Sequence, residues 1–152
     1  MHKSFCPVSD DEPNLPLLLR RIREAMSQHL ERGLGALGAE LTFTQYLVLK
    51  NIATEGPLTA GELARRLDHN AGAMTRLIDR LEAKGYVRRQ PDAEDRRALR
   101  IALTEAGQAQ WHAISRCSED VQRLALSDLN EAERNDLLSL LQRVRDTLEN
   151  HR

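Results

Sequence analysis

Aromatic residues are few in this chain. One Trp, two Tyr and two Phe make up 3% of 152 residues. That is too few for the stacking platforms on which RNA or single-stranded bases are ordered. Cysteine is scarcer still. Cys6 and Cys117 stand alone, with neither metal-ligand spacing nor a disulfide framework. His2, His29, His69, His112 and His151 fall in no ligand spacing such as H-E-x-x-H. A G-x-S-x-G elbow, a glycine-rich phosphate loop and a G-x-G-x-x-G turn are all missing. An enzyme is therefore not expected, nor a cofactor or a metal. No run of about 18 apolar residues exists to span a membrane, and no charged-then-apolar signal peptide opens the chain. A soluble cytoplasmic protein is expected.

Net charge is also close to absent, at −1. A generic binder of nucleic acid would be basic, but phosphate contact needs only local positive potential. The distribution supplies it. Residues 59–104 hold 10 Lys+Arg against 7 Asp+Glu, a net of +3, while residues 105–152 hold 6 against 9, a net of −3. The acidic last third is expected to lie away from any DNA.

The positive stretch is also the most patterned. Thr59 with Glu62 three residues on fits a capping box. Leu63, Ala64 and Leu67 then give a short helix an apolar face. Asp68-His69-Asn70 breaks the pattern, and Asn70 suits the N-cap of a second helix. In that helix Met74, Leu77, Ile78 and Leu81 recur at i, i+3, i+4 and i+7. Gly85 is placed to end it in the left-handed conformation. Arg76, Gly72 and Asp79 point away from the apolar stripe, with Thr75 and Arg80 on its flanks. Ala71, Gly72 and Ala73 keep the first turn small. A helix that enters a major groove needs this combination of an unbulky first turn, polar caps and a long basic side chain. On its own, the same pattern equally suits an amphipathic helix with a solvated face.

The residues beyond Gly85 favour DNA. Tyr86-Val87-Arg88-Arg89 reads as a short strand, and Leu99, Ile101 and Leu103 alternate with Arg100 and Ala102 as a half-buried one. The polar loop Gln90–Arg97 between them would leave Arg96 and Arg97 at an exposed hairpin tip, suited to the negative potential of a minor groove. Asp95 would orient a neighbouring arginine by a charge-assisted bond. The expected DNA-facing set is Thr59, Asn70, Ala71, Gly72, Thr75, Arg76, Arg80, Asp95, Arg96 and Arg97.

The run T-R-L-I-D-R-L-E-A-K-G-Y-V-R-R (Thr75–Arg89) and the run D-R-R-A-L-R-I-A-L-T-E-A-G (Asp95–Gly107) resemble the MarR family of bacterial transcription regulators. Asp95, Arg97, Leu103, Thr104 and Gly107 fill that family's wing pattern, in its order and spacing. The resemblance implies a mainly α fold: a winged helix-turn-helix with a two-stranded β-hairpin wing, and long N- and C-terminal helices forming a dimerisation region. It implies Asn70–Lys84 as recognition helix and Arg88–Arg100 as wing, with Arg97 in the minor groove. It also implies a homodimeric repressor that binds double-stranded DNA at a pseudo-palindromic operator and is released by a small aromatic or phenolic effector. The cleft for such a compound would lie between the dimer helices and the DNA-reading lobe, with Tyr46 and Trp111 as candidate contacts. Some relatives sense peroxide through a cysteine in the N-terminal region, which makes Cys6 the candidate for a thiol-based redox alternative. A helical protein-interaction domain without DNA binding is the other alternative.

The remaining chain fits this plan. Residues 1–14 are expected to be a flexible arm, with residues 15–152 forming a single domain. Its DNA-binding lobe would span about 42–104, and its dimerisation helices about 15–37 and 104–150. Leu15, Leu18, Leu19, Ile22, Met26 and Leu30 share one face of the first helix. Thr42 with Gln45 and Asn130 with Glu133 are further capping boxes, and Thr104 suits an N-cap. The helix after Thr104 would turn Ala106, Ala113, Ile114, Cys117, Val121 and Leu124 inward. Leu137, Leu138, Leu141, Val144 and Leu148 form the stripe of the last. So much apolar surface at the two ends has no partner within one small lobe. A two-fold dimer would cover it, and so would a bundle within one chain.

Overall fold

A computed structural model describes residues 14–151. The elements run α1 (Leu15–Ala36), α2 (Phe43–Glu55), β1 (Leu58–Thr59), α3 (Ala60–Arg66), α4 (Ala71–Ala83), β2 (Val87–Pro91), β3 (Leu99–Leu103), α5 (Glu105–Ala125) and α6 (Glu131–Asn150). The architecture is mainly α, with a winged helix-turn-helix at its centre.

Local chemistry sets the helix starts. Thr42 with Gln45, Thr59 with Glu62 and Asn130 with Glu133 each form the full reciprocal box. Thr104 accepts from the Gly107 N–H at 2.9 Å, and Asn70 accepts from Gly72 and Ala73. Each such cap satisfies otherwise orphaned N–H groups and contributes about 1 kcal/mol. Asn14 does the same for α1, accepting from Leu17 at 3.1 Å. The expected arm thus loses its last residue to the helix. Its other residues, Cys6 among them, lie outside the described part of the chain.

The core sits where the helix-turn-helix meets the sheet. Leu63, Met74, Ile78, Leu81, Val87 and Ile101 are all essentially inaccessible, joined by Leu34, Val48, Leu49 and Ile114. Burying each large side chain contributes roughly 1.5–3 kcal/mol. The i, i+3, i+4, i+7 stripe of α4 is therefore the inner face of the reading lobe.

The wing is the expected two-stranded hairpin of β2 and β3, and a third strand joins its sheet. The sheet has three strands in the order β1-β3-β2, all antiparallel. Leu58 pairs with Ile101 and Thr59 with Arg100. Two residues are too few to carry an alternating pattern, so β1 leaves no periodic trace in the sequence. The edge it adds ties the wing to the start of α3.

Two glycines matter for this geometry. Gly85 has φ +77°, the left-handed value anticipated for the residue that stops α4. Gly107, in the first turn of α5, lies against the backbone of the α4–β2 turn. A Cβ there would stand 2.0 Å from the Tyr86 carbonyl oxygen. That carbonyl is held by the Thr104 N–H at 3.0 Å and has little freedom to retreat. Gly107→Ala should destabilise the fold by about 1–3 kcal/mol, the range for overpacking a tight site. A thermal melt of the variant checks this, and an unchanged midpoint would mean that α5 can shift away from the wing.

The outer helices leave most of their apolar stripes uncovered, and α5 corrects two inward-facing expectations. Leu30 is buried as expected, together with Leu34. Leu15, Leu18, Leu19 and Ile22 of the same face are exposed. In α5, Gly107 and Ile114 face the core, whereas Ala106 and Leu124 are exposed. No residue of α6 is buried. Arg134 links α6 to the preceding turn, its Nε donating to the carbonyls of Leu126 and Leu129. No helix among the described residues is long and apolar enough to cross a membrane.

Candidate nucleic-acid interface

The expected reading elements lie side by side. On α4, Ala71, Gly72, Thr75, Arg76 and Arg80 are all exposed. Asn70 spends its side-chain oxygen on the cap, 2.8 Å from the Gly72 N–H and 3.2 Å from that of Ala73. The Thr75 hydroxyl donates back to the Ala71 carbonyl at 3.0 Å. Thr59 is likewise engaged by its box, at 3.1 Å from the Glu62 N–H. The first turn is therefore rigid and unbulky, and farther along the helix Arg76 and, in the last turn, Arg80 extend without an ion-pair partner among the described residues. Between α4 and the start of α2 runs a shallow groove that Arg76 and Arg80 share with Thr42, Thr44 and His69. The sequence pattern does not single out these last three for a DNA role. They come together only when α2 packs behind α4.

The wing tip is a turn closed on itself. Asp92 accepts from the N–H of Glu94 at 2.7 Å and of Asp95 at 3.3 Å, and Asp92 N–H donates to the Ala98 carbonyl at 2.9 Å. Asp95 accepts from the Arg97 backbone N–H at 3.0 Å. It shapes the turn, and no described arginine side chain pairs with it. This replaces the charge-assisted orientation expected of it. A short acidic side chain two residues before an N–H reaches the backbone more easily than a guanidinium. Arg96 and Arg97 stand exposed at the tip. Leu99, anticipated as half-buried, is 51% exposed.

Two further arginines, for which the sequence pattern suggests no role, hold the module together. Arg100 on β3 donates Nε to the Asp92 carboxylate and Nη1 to the Pro57 carbonyl at 3.0 Å, and lies 3.8 Å from Glu62. Arg89 on β2 binds Asp79, at 2.6 Å, and Glu82, both on α4. Burial pulls the Arg89 guanidinium toward the neutral form, and the two carboxylates more than offset it. Asp79 points away from the apolar stripe, as its place on the helix predicts, but into this pair.

The Arg100 hydrogen bond, followed by the N–H groups of Glu94 and Asp95, holds the Asp92 carboxyl below its ordinary value of 3.8. A carboxylate with a depressed folded-state pKa contributes stability above its unfolded value, and this is lost as pH falls through the lower folded value. Asp92→Asn should therefore flatten the acid limb of the stability curve below about pH 4. Urea midpoints at pH 7 and pH 3 measure this. An identical loss in both proteins would detach Asp92 from the wing's acid sensitivity.

The module's layout has counterparts among known proteins. Residues 39–98 match the model of the MarR family. A transcriptional repressor of Pseudomonas putida, NicR, is 31% identical over 115 residues, spanning 76% of this chain and 73% of its own length. The chain belongs to the MarR family. The regulator SarZ of Staphylococcus haemolyticus is 33% identical over 105 residues, covering 69% of this chain and 70% of the regulator. A mutant MarR from E. coli, solved in complex with operator DNA, superposes with a TM-score of 0.73 at 30% identity. That match covers 86% of this chain and 92% of the other. As a MarR-family member, the protein is a DNA-binding transcription regulator and not an enzyme.

The candidate effector residues lie on α2 and α5. A pocket of about 180 Å³ opens between α1, α2 and α5, lined mainly by Met26, Leu30, Phe43, Tyr46, Leu47 and Val121. Lys50, Ser118 and Gln122 add polar groups. The Tyr46 hydroxyl donates to Ser118 Oγ at 2.6 Å. Trp111 stacks on Tyr46 with ring centroids 6.0 Å apart, but does not line the pocket. Cys117 also sits between α1 and α5. A Cβ on Gly33 would come within 2.3 Å of its sulfur. Burial, then Asp120, pushes its thiol pKa up, against thiolate chemistry.

Proposed function

We propose that the protein is a homodimeric, cytoplasmic repressor of transcription. It binds a pseudo-palindromic operator, with α4 in successive major grooves and the β2–β3 wing in the flanking minor grooves. The observation that carries this reading is the set of exposed arginines on one module. Arg76 and Arg80 extend from a helix with a small first turn, and Arg96 and Arg97 from the wing beside it, without ion-pair partners among the described residues. Guanidinium groups left unneutralised next to a narrow helix suit guanine edges and phosphates. Two copies related by a dyad would meet half-sites about one helical turn apart.

The pocket beside Tyr46 supports a second element, release by a small aromatic or phenolic compound. Its walls are apolar, its volume suits a single ring, and Lys50 and Ser118 offer polar anchors. The effector must bind the two dimer conformations unequally to shift operator affinity.

Selection from a pool of random duplexes at two salt concentrations tests the main reading. A consensus of two inverted half-sites is the expected result. Weak, salt-sensitive binding without a consensus would overturn sequence-specific regulation.

A further inference from the structure

We infer that Arg89 is a positioning residue for DNA recognition: by holding Asp79 and Glu82 it locks α4 to the wing and keeps two carboxylates from repelling the DNA backbone. The inference rests on the proposed use of α4 and the wing. It begins with an anomaly in strand patterning. Arg89 stands opposite Ile101 in the sheet and two residues from Val87, and both of these are 1% exposed. Residues directly opposite or two apart share a face of a sheet, so Arg89 leaves β2 on the side that faces the core. A cation is costly there unless it is paired. Its guanidinium lies between two carboxylates of α4, Asp79, at 2.6 Å from Nη2, and Glu82, bound by Nη1.

Asp79 and Glu82 are one helical turn apart and so lie along one edge of α4. Asp79 also follows Arg76 by three residues and Thr75 by four, which places it beside the exposed basic face. A free carboxylate there would oppose phosphate, and the planar fork of arginine engages both acids at once. The neighbouring Arg88 is exposed and makes no ion pair among the described residues. The same formal charge thus occurs twice in succession, once as a clamp and once free.

That pair makes the test. Operator affinity is measured for Arg89→Met, Arg88→Met, Asp79→Asn/Glu82→Gln and the triple Arg89→Met/Asp79→Asn/Glu82→Gln, on the selected duplex and a scrambled one, with thermal melts as folding controls. Arg89→Met should weaken operator binding about tenfold or more, the scale of a lost charge-assisted pair. Its loss should exceed that of Arg88→Met and should narrow the gap between selected and scrambled duplexes. Neutralising the acids should restore affinity in the Arg89→Met background and give no such gain when Arg89 is intact. Equal gains in both backgrounds, or equal losses for Arg88→Met and Arg89→Met, would overturn the inference and leave Arg89 as one more positive charge. If Arg89→Met does not melt cooperatively, Arg89→Lys runs the same cycle with charge kept and the fork removed. Arg97→Ala separates the two levels. If it weakens binding while the cycle is additive, only the role of Arg89 falls. If it too has no effect, the wing's DNA-facing assignment falls with it.

Discussion

Leu141→Glu/Val144→Glu in α6 is expected to yield a monomer and to lower operator affinity by about 10²–10⁴-fold, the range gained when two linked modules bind together. The reasoning starts from exposure. Of the thirteen large hydrophobic residues exposed among those described, ten lie on α1 or α6. Such concentration distinguishes an interface from scattered surface leucines. Leu137, Leu141, Val144 and Leu148 recur at i, i+4, i+7 and i+11, so they form one stripe along a helix that buries none of its residues. Leu15, Leu18, Leu19 and Ile22 supply a second stripe on α1. A second copy of the chain would cover both, and two glutamates there would have to be buried unpaired. Light scattering after size exclusion reads the oligomeric state, and a titration reads the affinity. A dimer that survives the change would place the interface elsewhere. A monomer with undiminished affinity would remove the two-half-site mechanism.

These stripes also show how far a sequence can be read. Periodicity marks an apolar face but does not say what covers it. The α4 stripe and the α1 stripe look alike in the sequence. Yet Met74, Ile78 and Leu81 end in the core, while Leu15, Leu18 and Leu19 do not. The caps are legible because their chemistry spans three residues. Thr42, Thr59, Asn70, Thr104 and Asn130 all sit at N-caps. Contacts that span longer stretches leave no such trace. Arg89 reaches back seven and ten residues along the chain, and Arg100 reaches Pro57 across 43. Gly107 matches a family pattern, but only the fold gives the reason, a carbonyl 2.0 Å from where its Cβ would be. For the candidate interface, residue identity is local and legible in the sequence, while the side-chain engagement of Asp95 depends on a turn that closes through Asp92 and Ala98.

Arg97→Ala should carry the largest single-residue cost to operator binding, about 1–3 kcal/mol for each good groove contact, and a dimer would lose it twice. The tip turn explains why the effect should be direct. Asp92 and Asp95 bind backbone N–H groups, and Arg97 contributes only its own N–H to the turn. An alanine keeps that N–H, so the wing should hold its shape and lose only the guanidinium. Arg76→Ala, on the helix, should behave differently. A guanidinium on a base edge contributes discrimination, so its loss should relax base preference at one position in each half-site. Loss of a phosphate contact would lower affinity for all duplexes alike and reduce the salt slope by about one. Titrating both variants against the selected duplex and its single-base variants separates these outcomes. An Arg97→Ala protein with unchanged affinity would take the wing out of the mechanism and leave the recognition helix to act alone.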